Sequence, residues 1–384
     1  MTKRGRNLLR FGLLLAVSLL ALEGTLRYLL FGRQPWVVRA AAPLRKELCY
    51  TSASSEDDCW KLRALFGGEN ALREHRYRDE LLGWTNEEIE PGSYRHAAEP
   101  PPDGRRLVLL YGDSFARCPT SRAEAWEGLL AGSELGSSHV LLNYGVGGYG
   151  LDQIHLLLAA TLDRYVERDP LVIVGILVDD DLDRTLLSLR NSPKPRFELA
   201  GDELVLHSPR TRSAAEFIAE NPLGIRSYSW RFLLYGSGLV PERFRGLITG
   251  EERARDESRA LCRRILAEAR RLLLERGLDH FVVLFHANGA MYEIGPYSWQ
   301  EPFLYETLRE LGFPFVSSKR ALLEDMSATG RPWSAYFTES RHYDAEGHRA
   351  VFPALVRGIQ GRFEPSEGYL PGAPAHPRAA AQRE

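Results

Sequence analysis

The feature that most constrains the fold is the run at residues 171–178, Leu-Val-Ile-Val-Gly-Ile-Leu-Val. An almost continuously apolar stretch of this length suits a strand covered on both faces, which is the environment of a parallel sheet with helices on either side. Shorter runs of the same kind recur at 107–111, 140–144, 281–285 and 313–316. Between them lie stretches with helical patterning at 123–130, 151–168, 251–276 and 345–359, the third stopping at Gly277, a residue suited to the position after a helix end. Alternating strands and helices predict an α/β fold with a parallel sheet. Residues 193–207 pattern as a hairpin turning at Ala200-Gly201-Asp202, within an insertion over the sheet at about 190–250.

The chain start is of another kind. Lys3, Arg4, Arg6 and Arg10 precede an apolar stretch from Phe11 to Leu22 that resumes as Tyr28-Leu29-Leu30-Phe31 after Glu23 and Arg27. Counted over 8–31 it suffices for one helical crossing of a bilayer. The basic cluster then puts residues 1–7 in the cytoplasm and the remainder outside. The rival reading is a cleaved signal peptide, because the uninterrupted apolar core has a signal-peptide length and Ala40-Ala41-Ala42 offers small residues for cleavage. Glu23 and Arg27, four apart, can pair on one helix face. Residues 32–104 read as an extracytoplasmic extension ending in Pro100-Pro101-Pro102-Asp103-Gly104, 105–363 as the main domain, and 364–384 as a loose tail.

With 384 residues, 44% hydrophobic and 26% charged, the chain has the composition of an ordered globular protein. A net charge of −2, with arginines and acids interspersed, offers no basic face, so nucleic acid is not an expected partner. Cys49 and Cys59 could close a disulfide loop in an oxidising compartment. The remaining cysteines, Cys118 and Cys262, and the histidines show no zinc-type spacing, and no cofactor or metal is expected.

In an open parallel sheet, chemistry gathers beyond the carboxyl ends of the strands. Three such places carry Gly112-Asp113-Ser114-Phe115, then Asn143-Tyr144-Gly145-Val146-Gly147-Gly148-Tyr149-Gly150, then Asp179-Asp180-Asp181. A serine at a strand-to-helix turn can present its hydroxyl and its N–H to one pocket, serving attack and oxyanion binding together. The serine needs a base, and His342, three residues after Glu339, is the best candidate. The stretch 145–150 also satisfies G-x-G-x-x-G, with Asp179 as an acid ending the next strand, so dinucleotide binding is the rival reading.

These blocks, in this order, resemble the GDSL/SGNH hydrolases, specifically the bacterial branch with an N-terminal anchor. Gly112-Asp113-Ser114-Phe115 matches the nucleophile block, with Phe115 in place of Leu. Asn143 to Gly148 matches Asn-x-x-x-x-Gly, and Glu339 with His342 matches Asp-x-x-His. Leu82-Gly83-Trp84 and Lys194-Pro195-Arg196-Phe197 also resemble segments of the anchored branch. The resemblance implies a flavodoxin-like three-layer α/β/α sandwich and a Ser114–His342–Glu339 triad. It also implies an oxyanion hole from Ser114, Gly148 and the third-block residue, here Asp180, with Asp179 as the alternative register, where the family has asparagine. An ionised carboxylate cannot donate to an oxyanion, so Asp180 serves only if held protonated, and otherwise that donor is missing. The implied activity is acyl transfer from an O-acylated envelope glycan or lipid ester. The acceptor is water or a sugar hydroxyl, and the alternative is a catalytically weak assembly or binding protein on the same fold. The implied place is the outer face of a bacterial inner membrane.

Overall fold

The computed structural model describes residues 3–98, 103–209, 213–241, 244–245, 251–291 and 299–363. The expected tail at 364–384 and prolines 100–102 lie outside the described residues. The chain divides into two compact units, the first comprising Met1–Trp84, Leu186–Pro195 and Ser208–Glu257 and the second Thr85–Thr185, Arg196–His207 and Ser258–Glu384. The boundaries thus differ from those read in the sequence: most of the extension and much of the insertion fold together, and 85–98 belongs with the sheet.

In the first unit, α1 (Lys3–Phe31) includes a stretch, Arg10–Phe31, long and apolar enough to cross a membrane. Its last turns instead enter a small core, where Leu26 and Leu30 join Tyr50, Leu62, Ile225 and Tyr228. Cys59 packs in a separate cluster with Trp60, Leu187 and Leu189, whereas Cys49 lies against the first, and both remain thiols. The Cys49–Cys59 disulfide is not formed because the helix Asp57–Gly67 turns the two side chains to different clusters. Gly83, with φ +82°, lies where a Cβ would meet the Pro193 carbonyl oxygen at 2.5 Å, so Leu82-Gly83-Trp84 and the segment before Lys194 are in contact.

The second unit is built on a parallel sheet of β1 (Arg106–Gly112), β2 (His139–Gly145), β3 (Leu171–Leu177), β4 (His280–Phe285) and β5 (Phe315–Ser317). Their order is β5-β4-β3-β1-β2, all parallel, which is the flavodoxin-like arrangement. Alternation sends Val108, Leu110, Ile173, Val283 and Phe285 to one face. There α2 (Trp126–Ala131) packs first, helped by Trp126 stacked on Phe285 at 5.8 Å. On the other face Tyr111 reaches α3 (Leu151–Thr161), its hydroxyl 2.8 Å from that of Thr161. The long helix α4 (Glu251–Glu275) buries Leu261, Cys262, Ile265, Leu266, Ala269 and Leu273 at helical spacing, and Gly277 follows it at φ +65°. The first face is completed by α5 (Ser318–Thr329) and α6 (Ala345–Ile359), whose N-cap Asp344 accepts from the Gly347 N–H at 2.9 Å. A hairpin pairs Arg196–Ala200 with Glu203–His207, as the pattern predicts.

Leu30 is 1% exposed at the centre of the first unit's core. Leu30→Ala is expected to cost about 2–5 kcal/mol, through lost transfer energy and the cavity left behind. Denaturant unfolding of the detergent-solubilised chain measures it.

Candidate active site

The nucleophile turn begins where β1 ends. Asp113 is the N-cap of the single helical turn Ser114–Arg117, its Oδ1 accepting the Phe115 N–H at 2.8 Å. As the first residue of that turn, Ser114 has an N–H with no intrahelical acceptor. Glycines let the loops close around it: at Gly145 a Cβ would lie 2.4 Å from the Arg117 nitrogen, so β2 approaches backbone to backbone. Gly148 sits at the third position of a turn closed by the Tyr149 N–H on the Val146 carbonyl, with φ +87°, a conformation that favours glycine.

His342 arrives on the loop before α6. The strand-like bridge between Phe337 and Tyr343 closes this loop, the Thr338 N–H donates to the His342 carbonyl at 2.8 Å, and Arg341 takes φ +68°. Its Nε2 lies 2.9 Å from Ser114 Oγ. Phe115 packs beside the imidazole at 5.1 Å between ring centroids and meets Tyr343 edge-on at 4.9 Å. Burial pulls the His342 pKa below the ordinary 6.5, with the nearby Asp113 charge opposing the shift. The ring is therefore neutral at neutral pH, the state in which it can accept a proton.

Glu339 is not brought to the imidazole. Its side chain is exposed, and Nδ1 instead faces Ser340 Oγ at 3.2 Å. The turn through the left-handed Arg341 directs the residue two before the histidine, rather than three, at Nδ1. With Nε2 as acceptor, Nδ1 carries the hydrogen and donates to Ser340, whose own hydroxyl is 2.9 Å from that of Thr338. The Ser340 hydroxyl and backbone carbonyl together fix the tautomer but bring no full negative charge.

Asp180 is likewise placed differently from the expected donor. It forms an ion pair with Arg184, which leaves it an acceptor. Arg184 is buried, and its Nη1 is 3.0 Å from Asp113 Oδ2, 2.8 Å from Asp181 Oδ1 and 2.8 Å from the Tyr149 carbonyl. Asp181 also accepts the Leu177 N–H at 2.8 Å, and its carboxyl is pushed well above the usual range by burial and then by the charge of Asp113. Asp113 Oδ2 is 3.3 Å from Ser114 Oγ as well. Sequence reasoning missed Arg184; the available signal was a lone arginine three and four residues after two strand-end acids.

Ser114, His342 and Gly147 line an open cleft of about 840 Å³ that includes Glu88, Arg117 and Glu127. Burial raises the Glu127 carboxyl, with Asn143 opposing and Glu88 adding to the shift, and its Oε2 has no partner among the described residues. His286 is fully buried, bonded to Ser318 at 3.1 Å and 3.2 Å from Glu301, so it belongs to the interior. The glycine loop follows the edge strand β2, and β1 separates it from Asp179 at the end of β3, so the loop and acid do not sit on neighbouring strands as a dinucleotide site requires.

Sheet order, serine turn and histidine loop together agree with the blocks read in the sequence. The fold is SGNH hydrolase-like. No protein-family model and no curated protein sequence matches the chain. Among solved structures it is similar to an acetylxylan esterase from Geobacillus stearothermophilus, at 17% identity over 67% of this chain and 94% of the other, TM-score 0.34. It is also similar to TesA, at 10% identity over 67% and 100%, TM-score 0.37. A third is a lipolytic protein of the G-D-S-L family from Veillonella parvula, at 9% identity over 66% and 97%, TM-score 0.33.

Arg184→Met leaves the buried Asp113 and Asp181 without their counter-charge. It is expected to cost about 3–5 kcal/mol in denaturant unfolding.

Proposed function

We propose that the chain is a serine acyl hydrolase that works through an ester on Ser114. The observation that carries this reading is the 2.9 Å contact between Ser114 Oγ and His342 Nε2. In the first step the hydroxyl proton passes to Nε2 as Oγ attacks the ester carbonyl. His342 then returns that proton to the leaving alcohol, and a water activated by the same ring releases the acid. The N–H groups of Ser114 and Gly148 hold the oxyanion. Ser340 orients the imidazole in place of Glu339, and Asp113 supplies the negative charge nearest the developing imidazolium.

Paired to Arg184, Asp180 does not serve as a third oxyanion donor, and losing one such donor lowers the rate by about 10²–10³ relative to a complete hole. The cleft around the pair mixes Glu88, Arg117 and Glu127 with Leu130, Leu141 and Leu142, a lining that can receive an acyl group together with a hydroxylated carrier. An O-acylated envelope glycan fits that chemistry together with an anchor at α1 and a domain outside the membrane.

The test is hydrolysis of short acyl esters by the full chain. Ser114→Ala is expected to lower kcat by roughly 10⁴–10⁶-fold; equal turnover by wild type and variant sinks the proposal in favour of a binding or assembly protein. Because His342 must be neutral and burial lowers its pKa, kcat/KM is expected to fall toward acid with a midpoint below the ordinary 6.5 of a histidine. A midpoint above 6.5 contradicts the assignment of that base. Ser340→Ala is expected to reduce kcat by about tenfold or more while Glu339→Gln leaves it nearly unchanged, and the reverse order restores Glu339 to the triad.

A further inference from the structure

Only part of the membrane-crossing stretch of α1 is free of protein contact on all sides. From Phe11 to Leu22 the large apolar side chains are 50–72% exposed, whereas Leu26 and Leu30 are 8% and 1% exposed. Twelve exposed residues rise about 18 Å. A bilayer's hydrocarbon core is about 30 Å thick. The remaining distance, about 12 Å, is the rise of the nine residues from Glu23 to Phe31, which protein covers on the Leu26–Leu30 face while Tyr28 (48%) and Phe31 (37%) stay exposed.

The first unit holds a collar at that height. Glu23 receives the hydroxyls of Ser227 and Ser229 at 3.0 and 2.6 Å and the N–H groups of Tyr228 and Ser229, both at 3.0 Å, so the helix Tyr228–Tyr235 starts against α1 at this level. The contact continues upward, with Phe31 edge-on to Tyr228 at 5.4 Å and Tyr28 beside Trp36 at 6.3 Å. Outward the collar exposes Trp230 (51%), Leu233 (37%), Trp36 (58%) and Val38 (40%). Arg33 and Arg39 are exposed just beyond α1, as side chains able to meet headgroup phosphates would be. Glu23 is rendered tolerable at depth by these donors and by Arg27 at 2.7 Å.

We infer that the helix Tyr228–Tyr235 and the segment around Trp36, packed beside the last turns of α1, are sunk in the outer leaflet at the depth where those turns complete the crossing. The partner of this surface is the acyl and headgroup boundary of a lipid bilayer, and Trp36 and Trp230 are its interfacial anchors. The inference rests on α1 crossing the membrane and is independent of the reaction at Ser114.

The test uses the full chain in phosphatidylethanolamine/phosphatidylglycerol vesicles containing lipids brominated near the carbonyl end of the acyl chain. Wild-type tryptophan emission is expected to be quenched, and Trp36→Phe/Trp230→Phe to lose most of that quenching while floating with the vesicles as before. External iodide is expected to leave the lipid-quenched fraction untouched in the wild type, a measurement that needs no variant. Equal lipid quenching of wild type and variant, or iodide access to that fraction, overturns the inference by placing the collar in water or against a second copy. Failure of the chain to float overturns it at its premise.

Discussion

One guanidinium holds the chemistry in place. Arg184 faces Asp113 at the end of β1, the Tyr149 carbonyl in the loop after β2, and Asp181 at the end of β3. These are the three strand ends whose loops must converge for a serine turn to function. A buried cation among acids is costly unless each partner is met, and here Asp113 is also an N-cap while Asp181 also takes a backbone N–H. The loops are therefore mutually fixed before any substrate arrives, which is the preorganisation that catalysis at a hydroxyl requires.

The same arrangement sets the electrostatics of the pair above it. Desolvation disfavours imidazolium, Asp113 favours it from across the serine, and Arg184 works against it. The net result is an imidazole whose pKa lies below the ordinary 6.5, the condition the proposed base requires. Ser340 and Thr338 settle which nitrogen carries the hydrogen. In the proposed mechanism, geometry and charge, combined in one acid in a Ser-His-Asp triad, are divided between the histidine loop and a carboxylate on the serine turn.

Much of this was legible in the sequence. The apolar run at 171–178 is buried throughout, and the strands flanking it in space follow the expected order of the fold. Strand-end glycines and the serine could be located because backbone crowding leaves few alternatives to Gly112 and Gly145. What sequence spacing could not supply was the path of irregular backbone. The left-handed Arg341 decides whether the residue two or three before His342 meets the ring, and nothing in Thr-Glu-Ser-Arg-His announces it. Asp180 was readable as an acid but its partner was not, because the pairing depends on the helical turn Asp181–Arg184 bringing Arg184 back. The division into two units was hidden for a similar reason: the core around Leu30 is assembled from segments some 200 residues apart in the chain, Leu30 meeting Tyr228.

The account depends on Ser114 being a nucleophile made reactive by His342. Labelling the folded chain with a fluorophosphonate and mapping the adduct by mass spectrometry examines that link directly. A single adduct on Ser114, formed far more slowly in His342→Ala, is the predicted result. Label on another residue, or undiminished labelling of Ser114 without the histidine, would contradict it.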